Sequence, residues 1–508
     1  MSFERLAVAP THARRVAPGL PAFTRTHAEV AATLLTAAVV LMGVTVVPER
    51  LGMNLLFPTL GALALVVAVV NPRLELSLLA IAIYLTCVDG PLKLMSGNDR
   101  ATILRDVLIL AVVFGVAVRT VVEDRALPRI PYRGALLCLV LAVLVQAFNP
   151  RTPGIVGFVA GARQQLEFAP LLLLGVIVAA RRDLLPVVGA VLLAVTLPNV
   201  VAAVIQSGLT PDQFASWGSG YADRVLGQGG FANAPRTFYE GGTSDRVRPF
   251  GLGSDAGAAG ILGWLSVPFA LAFLLGARVR YRVWLGFGGF ALCAVAVLTS
   301  QSRGVFICVL VALLAFFAIR TRSRNAASTL AALGAAGVLI ALFLSVFVAT
   351  ADPASLTRLK TVSPGQAAST IAERRGSLAL VPDYVVSYPL GVGLGRSGPG
   401  SGAVGAPSGL DSENQFNFLI GELGILGLVA FTVLWLCVVR DAVRLARREE
   451  DERRRALWSA VAAALLAATA VWFQATPTTS TPIAPLFWLL AGVVGAAAMD
   501  RRARSVPG

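Results

Sequence analysis

The sequence contains little charge and almost no histidine. Charged residues make up 14% of its 508 residues and hydrophobic residues 56%, and the mean hydropathy is +0.75. The two histidines, His12 and His27, both lie near the N-terminus. Soluble globular proteins carry about 25% charged residues. The composition therefore excludes a soluble protein of this length and predicts a polytopic membrane protein.

Cysteine is scarce as well. The five cysteines all fall in or at the ends of apolar runs, where a thiol ordinarily serves as a small apolar packing group. The sequence therefore predicts neither a disulfide framework nor a thiolate metal site. The five are Cys87, Cys138, Cys293, Cys308 and Cys437.

Long apolar runs dominate what is present. A helix that crosses a membrane needs about 20 apolar residues, and on this criterion the sequence predicts an all-α, polytopic transmembrane helix bundle of 12 to 14 spans. The candidate spans lie near residues 29–47, 55–70, 74–88, 101–122, 134–148, 166–180, 184–206, 254–277, 283–299, 303–319, 329–350, 413–439, 457–475 and 482–499.

Arginine clusters set the predicted orientation. Most of the 43 Lys and Arg residues fall in alternate connections when the N-terminus is placed in the cytoplasm, as the positive-inside rule requires. We therefore expect a multi-pass protein of the cytoplasmic (inner) membrane with both termini in the cytoplasm. In so apolar a chain, the net charge of +15 indicates contact with anionic lipids rather than with nucleic acid.

Two outer loops are long, and loops beyond about 12–15 residues are usually functional or disordered. We predict that neither loop forms a core of its own and that any chemistry lies on the outer face. The predicted organisation is a cytoplasmic tail (1–28), an N-terminal transmembrane half (29–206), an outer loop (207–253), central spans (254–350), a large outer loop (351–412), C-terminal spans (413–499) and a cytoplasmic tail (500–508).

Ionisable residues near the outer ends of the spans gather on one side of the predicted membrane. Charge at membrane depth is costly and usually faces a bundle interior or an aqueous cavity. Any one of these residues is also compatible with an interfacial anchor or a structural ion pair. The set consists of Arg105, Asp106, Arg163, Glu167, Arg248, Asp255, Arg303, Glu413 and Glu422.

Four stretches resemble the O-antigen ligase and O-antigen polymerase family of membrane glycosyltransferases. They are RVRPFGLGSDAGAAG (246–260), LTSQSRGVFICVLVALLAFF (298–317), ERRGSLALVPDYVVSYPLGVGLG (373–395) and ENQFNFLIGELGILGLVAF (413–431). The resemblance implies a transferase that takes a glycan from an undecaprenyl diphosphate carrier and joins it to an acceptor hydroxyl outside the cytoplasmic membrane. The acceptor would be a glycan or a lipid.

Arginines are the working residues that the resemblance implies. Arg303 is the arginine of the SRG motif, and Arg374 occupies the loop position four residues before Leu378, where the family usually has Trp. Guanidinium groups suit a diphosphate because they stay ionised and donate two parallel hydrogen bonds. A snorkelling arginine at a helix end is the structural alternative for Arg303. Further candidates for substrate binding are Arg105, Arg248 and Arg375.

The sequence departs from the ligase pattern at Glu413, where related ligases usually carry His. Because both histidines of this chain lie in the predicted cytoplasmic tail, a His base on the outer face is excluded. Either Glu413 replaces it as the base, or the chain belongs nearer the polymerase branch, in which arginines dominate.

Alternatives remain for the metal and for the function class. Asp411 and Glu413 have a spacing compatible with a divalent ion, but we expect a reaction with no metal and no cofactor. The glycine-rich runs at 227–230 and 391–402 are interpreted as flexible lids or turns. The alternative function is a transporter or flippase of lipid-linked sugars, and a scaffold role comes third.

Overall fold

The computed structural model describes residues 60, 63–64, 67, 74–97, 101–122, 129–179, 185–226, 237–240, 243–276, 280–321, 334, 374–398 and 410–504. The chain divides into two units, Met1–Leu60 and Gly61–Gly508, and the description below concerns the second. The spans predicted near 29–47, 55–70 and 329–350 lie outside the described residues, apart from isolated positions.

The second unit is helical except for one hairpin in the part that the structure describes. Its elements are α1 (Leu74–Ile83), a π-helical turn (Tyr84–Val88), α2 (Asp89–Ser96), α3 (Ala101–Val122), α4 (Arg133–Val145), a 3-10 turn (Gln146–Phe148), α5 (Gly154–Leu166), α6 (Pro170–Ala179), α7 (Leu185–Ser207), α8 (Pro211–Ala215), α9 (Ser219–Leu226), β1 (Thr237–Glu240), β2 (Thr243–Val247), α10 (Ala258–Leu275), α11 (Arg280–Ser300), α12 (Arg303–Arg320), α13 (Val381–Ser387), α14 (Gln415–Arg448), α15 (Glu452–Val471) and α16 (Ile483–Arg504).

Eight helical segments among the described residues are long and apolar enough to cross a membrane. The protein is therefore an integral membrane protein built on a helix bundle, while the total of 12 to 14 spans stays a prediction. Two shorter apolar helices, Arg133–Phe148 and Gly304–Arg320, match predicted spans. The eight segments are Ser77–Ser96, Gly154–Ala179, Leu185–Ser207, Ala258–Leu275, Val283–Ser300, Gln415–Arg448, Glu452–Val471 and Ile483–Arg502.

One span begins much earlier than predicted. The apolar run placed it at 166–180, whereas the helical segment covers Gly154–Ala179 and includes Arg163 and Glu167. These charges lowered the local hydropathy, so the run counted from the sequence began after them. Arg163 and Glu167 are accommodated within the span because each forms an ion pair with a side chain of α3.

Contacts between helix termini define two distinct ends of the bundle. At one end, the start of α14 meets the end of α15, where the Gln415 N–H donates to the Trp472 carbonyl at 2.9 Å. We call this the loop end; it contains residues 246–257, 300–304, 374–398, 410–417 and 472–482. At the other end, Arg501 pairs with Glu449. We call it the arginine end; it contains residues 129–133, 440–455 and 500–504.

Close helix packing depends on small residues and on one aromatic stack. A Cβ at Gly175 of α6 would lie 2.2 Å from the Leu489 carbonyl, and a Cβ at Gly492 of α16 would lie 2.1 Å from the Leu172 carbonyl. Small residues at membrane helix interfaces allow such close backbone approach. Between α14 and α16, the rings of Trp435 and Phe487 stack with centroids 4.1 Å apart.

The segment after α7, which the sequence analysis assigned to an outer loop without a core of its own, forms a small apolar cluster together with a residue of α2. Phe214 and Tyr221 pack there with Phe250, and Leu94 at the end of α2 closes the cluster. Burial raises the pKa of the Tyr221 phenol to about 12, so this hydroxyl stays neutral. The core forms because α8 and α9 place aromatic side chains against the chain that returns through β2.

Candidate active site

A buried ion network lies where α2, α3 and α5 meet. The Arg105 guanidinium is 2.5 Å from Glu167, 3.4 Å from Asp106 and 3.7 Å from Asp89, and it lies over the Phe168 ring at 5.0 Å. Arg163 pairs with Asp106 as well. The sequence places Arg105 beside Asp106, but its closest partner comes from another helix. Removal of one partner from such a buried network usually costs about 3–5 kcal/mol.

Two buried amides of α7 hold the segment that follows β2. The Gln206 Oε1 accepts hydrogen bonds from the backbone N–H groups of Phe250 and Gly251, both at 2.8 Å. The Asn199 Oδ1 accepts from the Leu252 N–H at 2.9 Å. Because Gln206 and Asn199 are fully buried, these bonds fix an irregular chain that water does not solvate there.

The segment held by these amides lies against the start of α12. A Cβ at Gly257, two residues after Asp255, would lie 3.9 Å from both the Ser300 carbonyl and the Ser302 Cβ. Arg248, which is half-buried, belongs to this segment. Arg303 is the first residue of α12, and its side chain lies outside what the structure describes. The fold therefore brings the backbone of the RVRPFGLGSDAGAAG stretch beside that of the SRG motif.

The start of α14 contacts the loop between α15 and α16, and that loop in turn contacts the start of α12. The Gln415 Nε2 donates to the Thr478 hydroxyl at 2.8 Å. In the same loop, the Gln474 side chain is close enough to α12 that a Cβ at Gly304 would lie 2.5 Å from its Oε1. The loop between α15 and α16 thus joins the beginning of α12 to the beginning of α14.

Residues 374–379 form a short helical segment that docks on α14. The Ser377 hydroxyl accepts a hydrogen bond from Asn414 Nδ2 at 2.7 Å, and its carbonyl accepts one from Asn417 Nδ2 at 2.9 Å. Asn414 also caps α14 by accepting from the Asn417 N–H. The capping residue therefore serves twice, since it begins the helix and anchors the segment that carries Arg374.

Arg374 and Glu413 form an ion pair at the loop end. The Arg374 Nη1 donates to the Glu413 Oε2, while 34% of the Arg374 side chain and 59% of the Glu413 side chain remain exposed. The Asp411 Oδ1 accepts from the Glu413 N–H at 2.9 Å, and the Tyr384 hydroxyl accepts from the Asp411 N–H at 3.1 Å. A carboxylate and a guanidinium thus stand side by side, within reach of solvent.

Of the two glycine-rich runs interpreted as flexible lids or turns, the part at 391–398 is a turn, and it is clamped by hydrogen bonds; residues 227–230 and 399–402 lie outside the described residues. Gly391, Gly393, Gly395 and Gly398 adopt positive φ angles, which glycine permits without a Cβ penalty. The fully buried Glu422 carboxylate accepts hydrogen bonds from the N–H of Gly395 at 2.9 Å and of Ser397 at 2.6 Å.

A kink in α14 makes room for this turn. Gly424 interrupts the helix with φ 66° and ψ −163°, and a Cβ there would lie 2.3 Å from the Pro389 carbonyl. The Gln146 Nε2 donates to the Leu390 carbonyl at 2.8 Å. The turn is therefore held from one side by the end of α4 and from the other by the broken helix.

The structure assembles some of the predicted residues and separates others. Arg374 and Glu413 touch, whereas Arg105 is buried in its ion network. Arg375 is exposed beside Arg374.

Sequence reasoning missed the amides and the carboxylate that hold the loops, although a polar residue inside an apolar run was the available signal. These residues are Gln146, Asn199, Gln206 and Asn417, and Glu422 in the role of a clamp.

Within the described ranges, no group of three or more His, Cys, Asp or Glu side chains is arranged to hold a metal ion. The Asp411 carboxylate, which the sequence paired with Glu413 as a possible ligand set, accepts the Glu413 backbone N–H instead.

Comparison with known families confirms the resemblance over the central part of the chain. Residues 288–432 match the family model described as O-antigen ligase. No curated protein matches the chain. The matched range contains Arg303, Arg374, Arg375 and Glu413, so four of the six predicted site residues lie inside the range that matches the O-antigen ligase model.

Proposed function

We propose that the protein transfers a glycan from undecaprenyl diphosphate to an acceptor hydroxyl at the outer face of the cytoplasmic membrane. The match of residues 288–432 to the O-antigen ligase model supports glycan transfer in surface polysaccharide assembly. The observation that carries the proposal is the solvent-accessible pair of Arg374 and Glu413 at the loop end. A carboxylate and a guanidinium side by side support the proposal, because such a transfer uses a base and a cation.

In the proposed step, the acceptor oxygen attacks the anomeric carbon of the glycan and forms the new glycosidic bond. The bond between that carbon and the diphosphate oxygen breaks, and undecaprenyl diphosphate leaves with the electron pair. Glu413 takes the proton of the acceptor hydroxyl. The Glu413 Oε2 bonds Arg374, so the proton would go to Oε1.

Arginine charge stabilises the leaving group in this proposal. Arg374 uses one N–H on Glu413, and the rest of its five-donor fork remains for a diphosphate oxygen. Arg303 would bind the same group from the start of α12, with Arg248 and Arg375 as further contacts. We assign Arg105 a supporting role, because three carboxylates already surround its guanidinium.

The proposed setting follows the arginine distribution. The loop end would face away from the cytoplasm, and the arginine end would meet anionic lipid at the cytoplasmic surface. The partners are then the lipid-linked glycan, a glycan or lipid acceptor and the membrane lipids. The proposed reaction needs no cofactor or metal.

The experiment uses the purified protein in lipid nanodiscs with a glycan linked to undecaprenyl diphosphate and a candidate acceptor. We expect carrier release and glycan transfer in equal amounts. Arg303→Lys should impair turnover, since lysine keeps the charge but loses the fork. Full activity of both Arg303→Ala and Arg374→Ala would contradict the assignment of the arginines.

The same experiment separates the alternatives. Movement of the intact lipid-linked glycan across the membrane of proteoliposomes, without carrier release, would identify a flippase instead of a transferase. Among transfer products, a ladder of repeat units would indicate a polymerase, and a single conjugate would indicate a ligase.

A further inference from the structure

Two side chains at the clamped turn have buried polar atoms without a hydrogen-bond partner in the part of the chain that the structure describes. The Nε2 and Oε1 atoms of Gln164 are buried without a hydrogen bond, and the residue as a whole is only 9% exposed. The Arg396 Nε is likewise buried without a hydrogen-bond partner. Buried polar groups in folded proteins are nearly always bonded, so each exception calls for an explanation.

Both groups adjoin the turn at 395–398. A Cβ at Gly398 would lie 3.1 Å from the Gln164 Nε2, so this amide abuts the turn. Gln164 reaches it from α5, where Gly157 and Gly161 allow the backbone of Leu394 and Gly395 to approach closely. The turn, Arg396 and Gln164 therefore belong to one region between α5 and α14.

Glu422 fixes how this turn presents Arg396. Its carboxylate binds the N–H groups of the two residues that flank Arg396. The negative charge is thereby directed to the backbone, and no described carboxylate forms an ion pair with the Arg396 guanidinium. Arg105, Arg163 and Arg374, by contrast, are all paired with carboxylates. Arg396 is thus an arginine whose charge the described protein leaves available.

The turn also adjoins the proposed catalytic pair. The Gly398 N–H donates to the Ser412 hydroxyl at 3.2 Å, and Ser412 precedes Glu413 directly. A group bound at Arg396 would therefore lie beside the segment that carries the base.

We propose that Arg396 and Gln164 form a subsite for the donor, in which Arg396 binds a phosphate oxygen of the diphosphate and Gln164 hydrogen-bonds the adjoining sugar. The guanidinium supplies charge-assisted donors for phosphate, and the amide supplies both a donor and an acceptor, which suits a hydroxyl. Glu422 is a positioning residue that holds the turn. The inference rests on the proposed function for the identity of the donor.

The test compares Arg396→Gln with Arg151→Gln, a control that removes an arginine at the same end of the bundle. Arg151 lies over the Tyr388 ring at 5.2 Å and is outside the proposed site. Loss of a charge-assisted hydrogen bond should raise the donor KM, or lower kcat/KM, roughly ten- to hundredfold for Arg396→Gln. Arg151→Gln should stay within about twofold of the wild type.

Two further variants separate binding from folding. Gln164→Met has a similar length without hydrogen bonds and should raise the donor KM several-fold while the apparent Tm is kept. Arg396→Lys keeps the charge and should recover part of the loss. Glu422→Gln should disturb the turn that presents Arg396 and so should reduce transfer. In the Glu422→Gln/Arg396→Gln double variant, the reductions of the two single variants should not add.

A binding measurement distinguishes this inference from the proposed function. Native mass spectrometry of the protein from nanodiscs would compare retention of undecaprenyl diphosphate with retention of phosphatidylglycerol. We expect Arg396→Gln to retain less undecaprenyl diphosphate than the wild type and an unchanged amount of phosphatidylglycerol. Equal loss of both lipids would reveal a general lipid-headgroup site and overturn the donor subsite. If the wild type transfers glycan and Arg396→Gln equals Arg151→Gln, the subsite is wrong and the function stands. If the wild type transfers nothing, the function fails, yet selective retention would still support the subsite.

Discussion

The two ends of the bundle use charged and polar side chains in different ways. At the loop end, buried polar groups bind backbone, as Glu422 binds the 395–397 turn and Gln206 binds Phe250 and Gly251. At the arginine end, charged side chains bind one another, and partly exposed arginines pair with a buried carboxylate. There Asp441 is approached by Arg440 at 3.1 Å and by Arg502 at 3.2 Å.

The difference follows from solvation. A backbone N–H buried without water must find a partner, so loops at membrane depth require buried acceptors. An ion pair that includes an exposed arginine contributes little to stability, and we expect the arginines at that end to set topology and to contact lipid. The comparison suggests different uses of the two residue types: the abundant arginines predict orientation, whereas the few polar residues inside apolar runs hold the loops of the candidate site.

The strongest test of the comparison is the side of the membrane on which each end lies. In a cysteine-free background, Gly230→Cys and Leu390→Cys should react with an impermeant thiol reagent in intact cells, whereas Glu450→Cys should react only after permeabilisation. The expected difference is all or none. Protection of Leu390→Cys in intact cells would move the loop end to the cytoplasm and remove the basis of the site assignment.

The next effect concerns catalysis at the loop end. Glu413→Gln keeps the shape of the side chain but removes its basicity, so transfer should fall about 10²- to 10⁴-fold while donor binding is largely kept. Glu449→Gln, a matched change at the arginine end, should leave the transfer rate near that of the wild type. Glu413→His should retain some activity with a changed pH profile. Normal turnover by Glu413→Gln would favour a mechanism in which arginines and leaving-group stabilisation dominate.

Glycine-to-alanine substitutions at two positions should change the stability of the protein in opposite directions. Gly424→Ala places a Cβ 2.3 Å from the Pro389 carbonyl at a φ of 66°, and it should destabilise the protein by about 2–4 kcal/mol. Gly134→Ala near the start of α4 meets no atom within 4 Å. It should stabilise the protein by up to about 1 kcal/mol. The apparent Tm in detergent measures both, and a lower Tm for Gly134→Ala would contradict the contrast.

The smallest effect belongs to an exposed arginine that lies beside Asp441. The Arg444 Nη1 lies 3.9 Å from Asp441 with 57% of the arginine side chain exposed. Arg444→Gln should therefore change stability by less than about 1 kcal/mol and leave transfer unaffected. Thermal unfolding and the transfer assay at two salt concentrations would measure this. A large loss of activity would show that the arginine end takes part in the reaction.

Part of the candidate site was readable from the sequence. The order of the motifs and their placement at one predicted face anticipated that the segments carrying Arg303, Arg374 and Glu413 would meet. It could not anticipate that Glu413 and Arg374 form an ion pair, because their contact depends on how Ser377 docks on Asn414. The start of the span at 154–179 was predicted too late for a similar reason. A charged residue lowers the hydropathy of a window whether or not that residue has an ion-pair partner.

The sequence by itself determined the membrane class, the helical architecture and the existence of two chemically different ends. These follow from apolar run length and charge distribution, which are local properties that need no knowledge of contacts. Only the tertiary structure decided that Arg105 is enclosed by three carboxylates, that Glu422 clamps a turn and that Gln164 and Arg396 adjoin it. A polar residue in an apolar run shows that it needs a partner, but packing between distant helices decides which partner it has.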